Sequence, residues 1–359
     1  MCLVPCVSDE HGCGDGAVPV DAAGGVSRRR MIAGSLGAAA AVTVLGGGVL
    51  ARPTVAVAAP GPYDGDGVVF LGVSGGPILS KVHKQPSLAL LVSGTVYLID
   101  AGNDTAAQFV NAGLPFPGLR HLFLTHYHSD HMAGYPALAL LGWVQLQSYP
   151  RLDLWGPPPL NSMNANVLDL YAVDIASREA IAPTTPVTDL LHPHQVTLHP
   201  AGSVDLVMED DNVIVTGTRV FHGSDIRDAF AYRFDLKSSG RSVVFSGDCP
   251  PDPNLVSLAE GADLLVHNVL YWPGIEVILN AVDPSIRPFL EQHFQTALTN
   301  VTDLPAIAKS ANVKRVAFCH YTPSFPPSSS YLDAFTEANQ GVGFTGDVMA
   351  PTDLDFIAI

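Results

Sequence analysis

The order of predicted elements gives an α/β fold made of two β-sheets with helices on their outer faces. Two observations predict it. Short β-rich apolar runs alternate with helical stretches from Gly67 onward, and the runs fall into two successive sets. A third observation, a histidine cluster directly after an apolar strand, says where such a fold would carry its chemistry. The first set predicts strands over 68–71, 88–92, 96–99 and 121–124, with a helix over 105–112. The second predicts strands near 204–207, 212–220, 230–234, 243–246, 264–267 and 316–319, with helices near 253–260, 303–311 and 329–338. Between the sets, 157–199 reads as an insert, helical over 164–180 and irregular over 183–194, forming a wall or lid over the cleft.

Composition bounds the answer. A chain of 359 residues that is 47% hydrophobic and 14% charged can bury a large core, yet it is short for three domains. The net charge of −16 predicts no nucleic-acid partner, because phosphates recruit Lys and Arg. At the N-terminus Arg28, Arg29 and Arg30 precede an Ala/Gly/Val-rich stretch to Leu50, and Ala56-Val57-Ala58 offers small residues for cleavage. That pattern is similar to a twin-arginine export signal. It predicts a signal peptide over 1–58 and a Pro/Gly linker over 59–66, which leaves one folded domain over 67–359. It also predicts the export machinery as a partner, a periplasmic or extracellular location and no stable membrane association. Cys249 and Cys319 remain in the mature chain, expected as free thiols rather than a disulfide.

The chemistry concentrates in Thr125-His126-Tyr127-His128-Ser129-Asp130-His131, after the apolar run Leu122-Phe123-Leu124. In extended backbone, residues i and i+2 point the same way, so His126 and His128 can face one ion together. Asp130 and His131, past the turn at Ser129, can reach a second. Imidazole nitrogen and carboxylate oxygen are donors that suit zinc. Other strand ends supply more: His222 follows Val220-Phe221, Asp248 follows Val243-Val244-Phe245-Ser246-Gly247, and His320 follows Val316-Ala317-Phe318-Cys319. His192 and His194 in the insert form another i, i+2 pair, but they flank a proline without a carboxylate at ligand spacing, and no ligand role is read there.

The set His126, His128, Asp130, His131, His222, Asp248 and His320 resembles the metallo-β-lactamase superfamily, in its ribonuclease Z and arylsulfatase-like branch. The resemblance runs from about Val68 to the C-terminus and includes Leu98-Ile99-Asp100-Ala101-Gly102 and Ala231-Tyr232-Arg233. It implies the four-layer αββα sandwich and two Zn2+ ions per chain, or other divalent metals. His126, His128 and His222 would hold one ion, Asp130, His131 and His320 the other, and Asp248 would bridge them. Asp100 would orient a ligating imidazole. His267 and His293 match positions from which an imidazole could protonate a leaving oxygen.

Ribonuclease Z grips tRNA with a long arm between the motifs ending here in His222 and Asp248, where this chain has only residues 223–247. The missing arm and the acidic balance favour a small phosphate or sulfate ester as substrate, attacked by a metal-bridging hydroxide, and make tRNA 3′-processing unlikely. A lactonase or β-lactamase-like hydrolase is the nearest alternative, and a non-catalytic, metal-binding exported protein the alternative of another class. The oligomeric state stays open, a dimer included.

Overall fold

Period-two alternation of apolar side chains divides the core into the layers the sequence predicts. The computed structural model describes residues 62–181, 184–200, 202–224 and 226–359; the proposed signal over 1–58 and the start of the linker lie outside the described residues. The first half of the fold runs β1 (Gly67–Gly72), β2 (Ser87–Val92), β3 (Thr95–Ile99), α1 (Thr105–Asn111), β4 (Leu119–Phe123), α2 (Ser129–Met132), α3 (Tyr135–Trp143), β5 (Leu152–Gly156), α4 (Leu160–Leu170), α5 (Ala172–Ile181) and β6 (Leu191–Gln195). The second runs β7 (Asp205–Glu209), β8 (Val213–Val220), β9 (Ala229–Leu236), β10 (Ser242–Phe245), α6 (Pro253–Leu258), β11 (Leu264–Leu270), α7 (Trp272–Ala281), α8 (Arg287–Ala297), α9 (Leu304–Ser310), β12 (Arg315–Thr322), α10 (Ser328–Val342), β13 (Asp347–Met349) and β14 (Phe356–Ala358).

One sheet has the order β14-β1-β2-β3-β4-β5-β6 and the other β13-β12-β11-β10-β9-β8-β7. On β1 to β3, Val68, Phe70, Leu88, Leu90, Tyr97 and Ile99 join the larger core shared with the second sheet. Their neighbours Val69, Leu71, Ala89, Leu91, Val96 and Leu98 face outward into a second core with Phe109 of α1 and Leu138 of α3. Leu255, Leu304, Ile307, Tyr331 and Phe335 from α6, α9 and α10 join the larger core. This is the αββα sandwich, and every strand buried on both faces reads as a nearly continuous apolar run.

Strands β3 to β6 pair in parallel, as do β10 to β13. Parallel strands end at one edge, where loops collect polar groups. Local signals set the helices that follow. Asp252 accepts a hydrogen bond from the Asn254 N–H, with Pro253 opening α6, and Gly343 takes the left-handed conformation that closes α10.

Three expectations change. The helix predicted over 164–180 is two helices meeting at Tyr171, α4 and α5. The stretch expected to be irregular contains β6, an edge strand that tolerates Pro193 because its free side makes no ladder bonds. The carboxylate absent from the sequence near His194 comes from β5: His194 Nε2 lies 2.6 Å from Asp153 Oδ1, and its ring stacks on Trp155. The helical pair α7–α8, with its own small core of Leu270, Ile275, Leu279, Ala297 and Leu298, was not anticipated. Among the described residues no helix is long and apolar enough to cross a membrane, and Cys249 and Cys319 are free thiols.

Candidate metal centre

The strand ends bring all seven proposed ligands to one edge of the two sheets. His126 and His128 follow β4, Asp130 and His131 lie on the short α2, His222 follows β8, Asp248 follows β10 and His320 lies near the end of β12. The loop after β4 is tied to the opposite sheet: Tyr232 OH donates to Leu124 O at 2.9 Å, and Phe230 N–H to Thr125 O at 3.0 Å. Gly247, at φ 59, lets β10 turn toward the site, and a Cβ there would meet Phe230 O at 2.7 Å. Asp100 and His320 take the same left-handed backbone without being glycine, the kind of local strain that gathers at functional sites.

Three groups of ligand atoms each lie within 4.8 Å of one another: His126, His128 and His222; Asp130, His131 and His320; and His126, His131 and Asp248. In the first, His126 Nε2 is 3.1 Å and His222 Nε2 3.0 Å from His128 Nδ1. The remaining nitrogen of His222 faces Ala297 O at 2.9 Å, which fixes that tautomer and leaves Nε2 for a ligand. In the second, His320 Nε2 lies 3.3 Å and His131 Nε2 3.5 Å from Asp130 Oδ2. Asp248 Oδ2 stands between the two, 3.0 Å from His320 Nε2, 3.4 Å from His131 Nε2 and 3.8 Å from His222 Nε2.

Behind His131, Asp100 Oδ2 receives Nδ1 at 2.8 Å, while its other oxygen accepts the Thr125 N–H at 2.8 Å. Asp100 is thus placed to orient the His131 ring, with both carboxylate oxygens taken by hydrogen bonds.

The electrostatics suit cations. Burial holds His126 and His222 below the usual histidine range, which keeps them neutral. At His131 and His320 burial acts in the same direction but is outweighed. Asp248, Asp100 and Asp130 raise His131 well above its ordinary value, and Asp248 and Asp130 push His320 up to about 9. Burial would raise Asp248, yet His320 and His131 hold it well below the carboxylate range. Positive charge is thus drawn to the positions a metal would fill. His131 Nε2, fully buried with no hydrogen-bond partner, is the orphaned donor atom that an ion would satisfy. The donor set fits divalent metal ions.

The two proposed proton donors are placed differently. His293, on α8, is half-buried, with its ring centroid 6.4 Å from that of His222, at the rim of the first group. His267 is fully buried with Nδ1 2.7 Å from Asn268 O, and makes no ring or hydrogen-bond contact with any of the seven ligands. Burial lowers its pKa to about 4, so it is a neutral core histidine. The proton-donor role read for His267 from the sequence stays an expectation, since its Nε2 is buried with no hydrogen-bond partner and its ring touches none of the proposed ligands.

The sequence matches the model of the beta-lactamase superfamily domain over residues 95–321, a span that contains all seven proposed ligands. The chain is 27% identical over 293 residues to a protein named ribonuclease Z from Mycobacterium sp. (strain KMS), covering 81% of this chain and 95% of the relative. It is 24% identical over 310 residues to ribonuclease Z of Methanothermobacter thermautotrophicus, covering 79% and 95%. The crystal structure of the short form of human tRNase Z superposes with a TM-score of 0.59 at 20% identity, covering 82% of this chain and 99% of that one.

These relatives overturn two expectations, the small phosphate or sulfate ester as substrate and the exclusion of nucleic acid as a partner. The physical reason is plain. A net charge of −16 sums the whole chain and does not report the field at one cleft, and a missing arm removes one gripping device, not the cleft. Arg227, exposed, lines a 230 Å³ pocket with Asp228 and Tyr127, the residue between the proposed ligands His126 and His128.

Proposed function

The chain belongs to the beta-lactamase superfamily and is a metal-dependent hydrolase, and from that premise we propose that it cleaves phosphodiester bonds in RNA using two divalent ions, preferably zinc. The observation that carries the reading is Asp248, a single carboxylate standing between two three-residue ligand groups. A shared carboxylate offsets the repulsion of two nearby cations. When bound, the ions would activate water and stabilise the charge that develops on the phosphoryl oxygens. RNA as the substrate class draws on relatives that carry the name ribonuclease Z along 95% of their own length. A groove of about 350 Å³ next to α8 fits that class: Trp272 and Phe294 offer faces for unstacked bases, and Gln295 and Asn300 offer amides for their edges.

The test is direct. Purified, metal-loaded protein should cut an oligoribonucleotide and a 3′-extended tRNA precursor, lose that activity to a chelator and regain it on adding zinc. Protein shown to carry its metals that leaves both RNAs intact overturns the reading.

His293 would give a proton to the departing ribose oxygen. His293→Ala should then slow RNA cleavage by roughly 10²- to 10⁴-fold. A nucleoside p-nitrophenyl phosphate, whose leaving group needs no proton, should lose far less. Equal losses for both substrates would assign His293 to positioning only.

We further propose that residues 1–58 form a twin-arginine signal, so that the enzyme acts in the periplasm or outside the cell. Replacing Arg28, Arg29 and Arg30 by lysine keeps the charge but removes the planar guanidinium forks. The variant should accumulate in the cytoplasm in cell fractionation; delivery equal to wild type would point to another route.

A further inference from the structure

Close against Asp130 and His320 runs a backbone segment that contributes no ligand. The Gly76 N–H donates to Asp130 Oδ2 at 3.0 Å, the same oxygen that faces His320 Nε2 and His131 Nε2. Gly75 N–H donates to Tyr321 O at 3.0 Å, and Tyr321 N–H returns to Val73 O at 2.8 Å, so the segment is pinned beside His320. Thr322 Oγ1 lies 3.1 Å from His320 Nδ1, the nitrogen that faces away from the carboxylates. A Cβ at Gly76 would overlap the carboxylate of Asp130, and one at Gly75 would overlap Thr322 Oγ1 and come within 2.8 Å of His320 Nδ1. Neither glycine takes the left-handed backbone that favours glycine, so the bar to alanine visible at both is the space these atoms fill.

We infer that Gly75, Gly76 and Thr322 form a shelf that positions Asp130 and His320 and thereby sets the affinity of the second ion, without touching the first. The inference rests on the two-ion reading. A carboxylate oxygen has two lone-pair directions, and the Gly76 N–H occupies one, aiming the other at the ion position. The threonine hydroxyl, by taking His320 Nδ1, holds the ring with Nε2 toward the same point. The hydrogen bonds of His126 and His222 run to Thr125, His128 and the Ala297 carbonyl, not to the three shelf residues.

The experiment is a Co2+ titration of the metal-free full chain, followed by its visible absorption, with metal content measured after gel filtration. Wild type should show two binding steps. Gly75→Ala and Gly76→Ala should keep the first step and weaken the second roughly 10- to 100-fold, the usual cost of losing an outer partner of a ligand. Gly341→Ala, in open space on α10, serves as the control that leaves both steps alone. Thermal unfolding in chelator establishes that the variants are folded. If the glycine variants do not fold, Thr322→Val decides, because it removes the hydroxyl and keeps the shape: a weakened second step supports the shelf and an unchanged one overturns it. Folded glycine variants whose two steps superimpose on wild type overturn the shelf alone. A wild type with a single step overturns the two-ion reading, and the shelf with it.

Discussion

Asp248→Ala is expected to abolish hydrolysis and to lower the metal content from two ions per chain toward one. Its Oδ2 lies within 3.8 Å of imidazole nitrogens from both groups, and it is buried. Without it, two cations held a few ångströms apart lose the charge that offsets their repulsion, so the weaker one leaves. Metal stabilisation of transition-state charge is worth several kcal/mol, which puts the loss of rate at about a thousandfold or more. Asp248→Asn separates charge from shape, since it keeps the volume and one acceptor oxygen yet should lose nearly as much. Elemental analysis alongside the RNA assay checks both, and wild-type metal content in either variant would remove the bridge from the mechanism.

Asp100 should matter almost as much although it holds no metal. It is buried, accepts from the Thr125 N–H at 2.8 Å and the Thr125 hydroxyl at 2.9 Å, and faces His131 Nδ1 at 2.8 Å. Asp100→Ala strips a buried charge partner and leaves these donors unpaired, which should cost the metal-free fold roughly 3–5 kcal/mol in a denaturant titration. Asp100→Asn is the more telling change. Its amide N–H would face His131 Nδ1, force that nitrogen to accept, and move the ring proton to Nε2, where the ligand lone pair is needed. Metal affinity should fall roughly 10- to 100-fold with only a small change in stability. An asparagine variant that binds metal like wild type would show that the His131 tautomer is set by something else.

Most of the proposed ligands were legible because they stand just past, or near the end of, an apolar strand. Val220-Phe221-His222, Phe245-Ser246-Gly247-Asp248 and Phe318-Cys319-His320 all place a polar side chain where burial is ending, a pattern that chain order alone reveals. Features whose explanation is a neighbour in space stayed hidden. The run Leu191-His192-Pro193-His194-Gln195 carries no apolar alternation, because the partners of His194, Trp155 and Asp153, come from the next strand. β13 and β14 are three residues each and make sense only as additions to sheets already built. The surroundings of His267 were hidden for a related reason: Leu264-Leu265-Val266-His267 looks the same in sequence whether or not the strand stops there, and in the structure it runs on to Leu270 with the ring facing the Asn268 carbonyl. The substrate misled because total charge is an average and recognition is local.

The proposed metal centre would also join the two halves of the protein. His126, His128, Asp130 and His131 belong to the loop and helix after β4 of one sheet, whereas His222, Asp248 and His320 come from the other. Each ligand group draws on both, so an ion bound there is a rivet driven through the sandwich at one edge, and opening the sheets requires expelling it. At about a hundred times its dissociation constant, each such ion adds ~2.7 kcal/mol to the folded state. With ions held by these residues, the durability of the fold would depend on the metal supply of its surroundings, and a chain starved of metal would lose its grip between the sheets along with its catalyst.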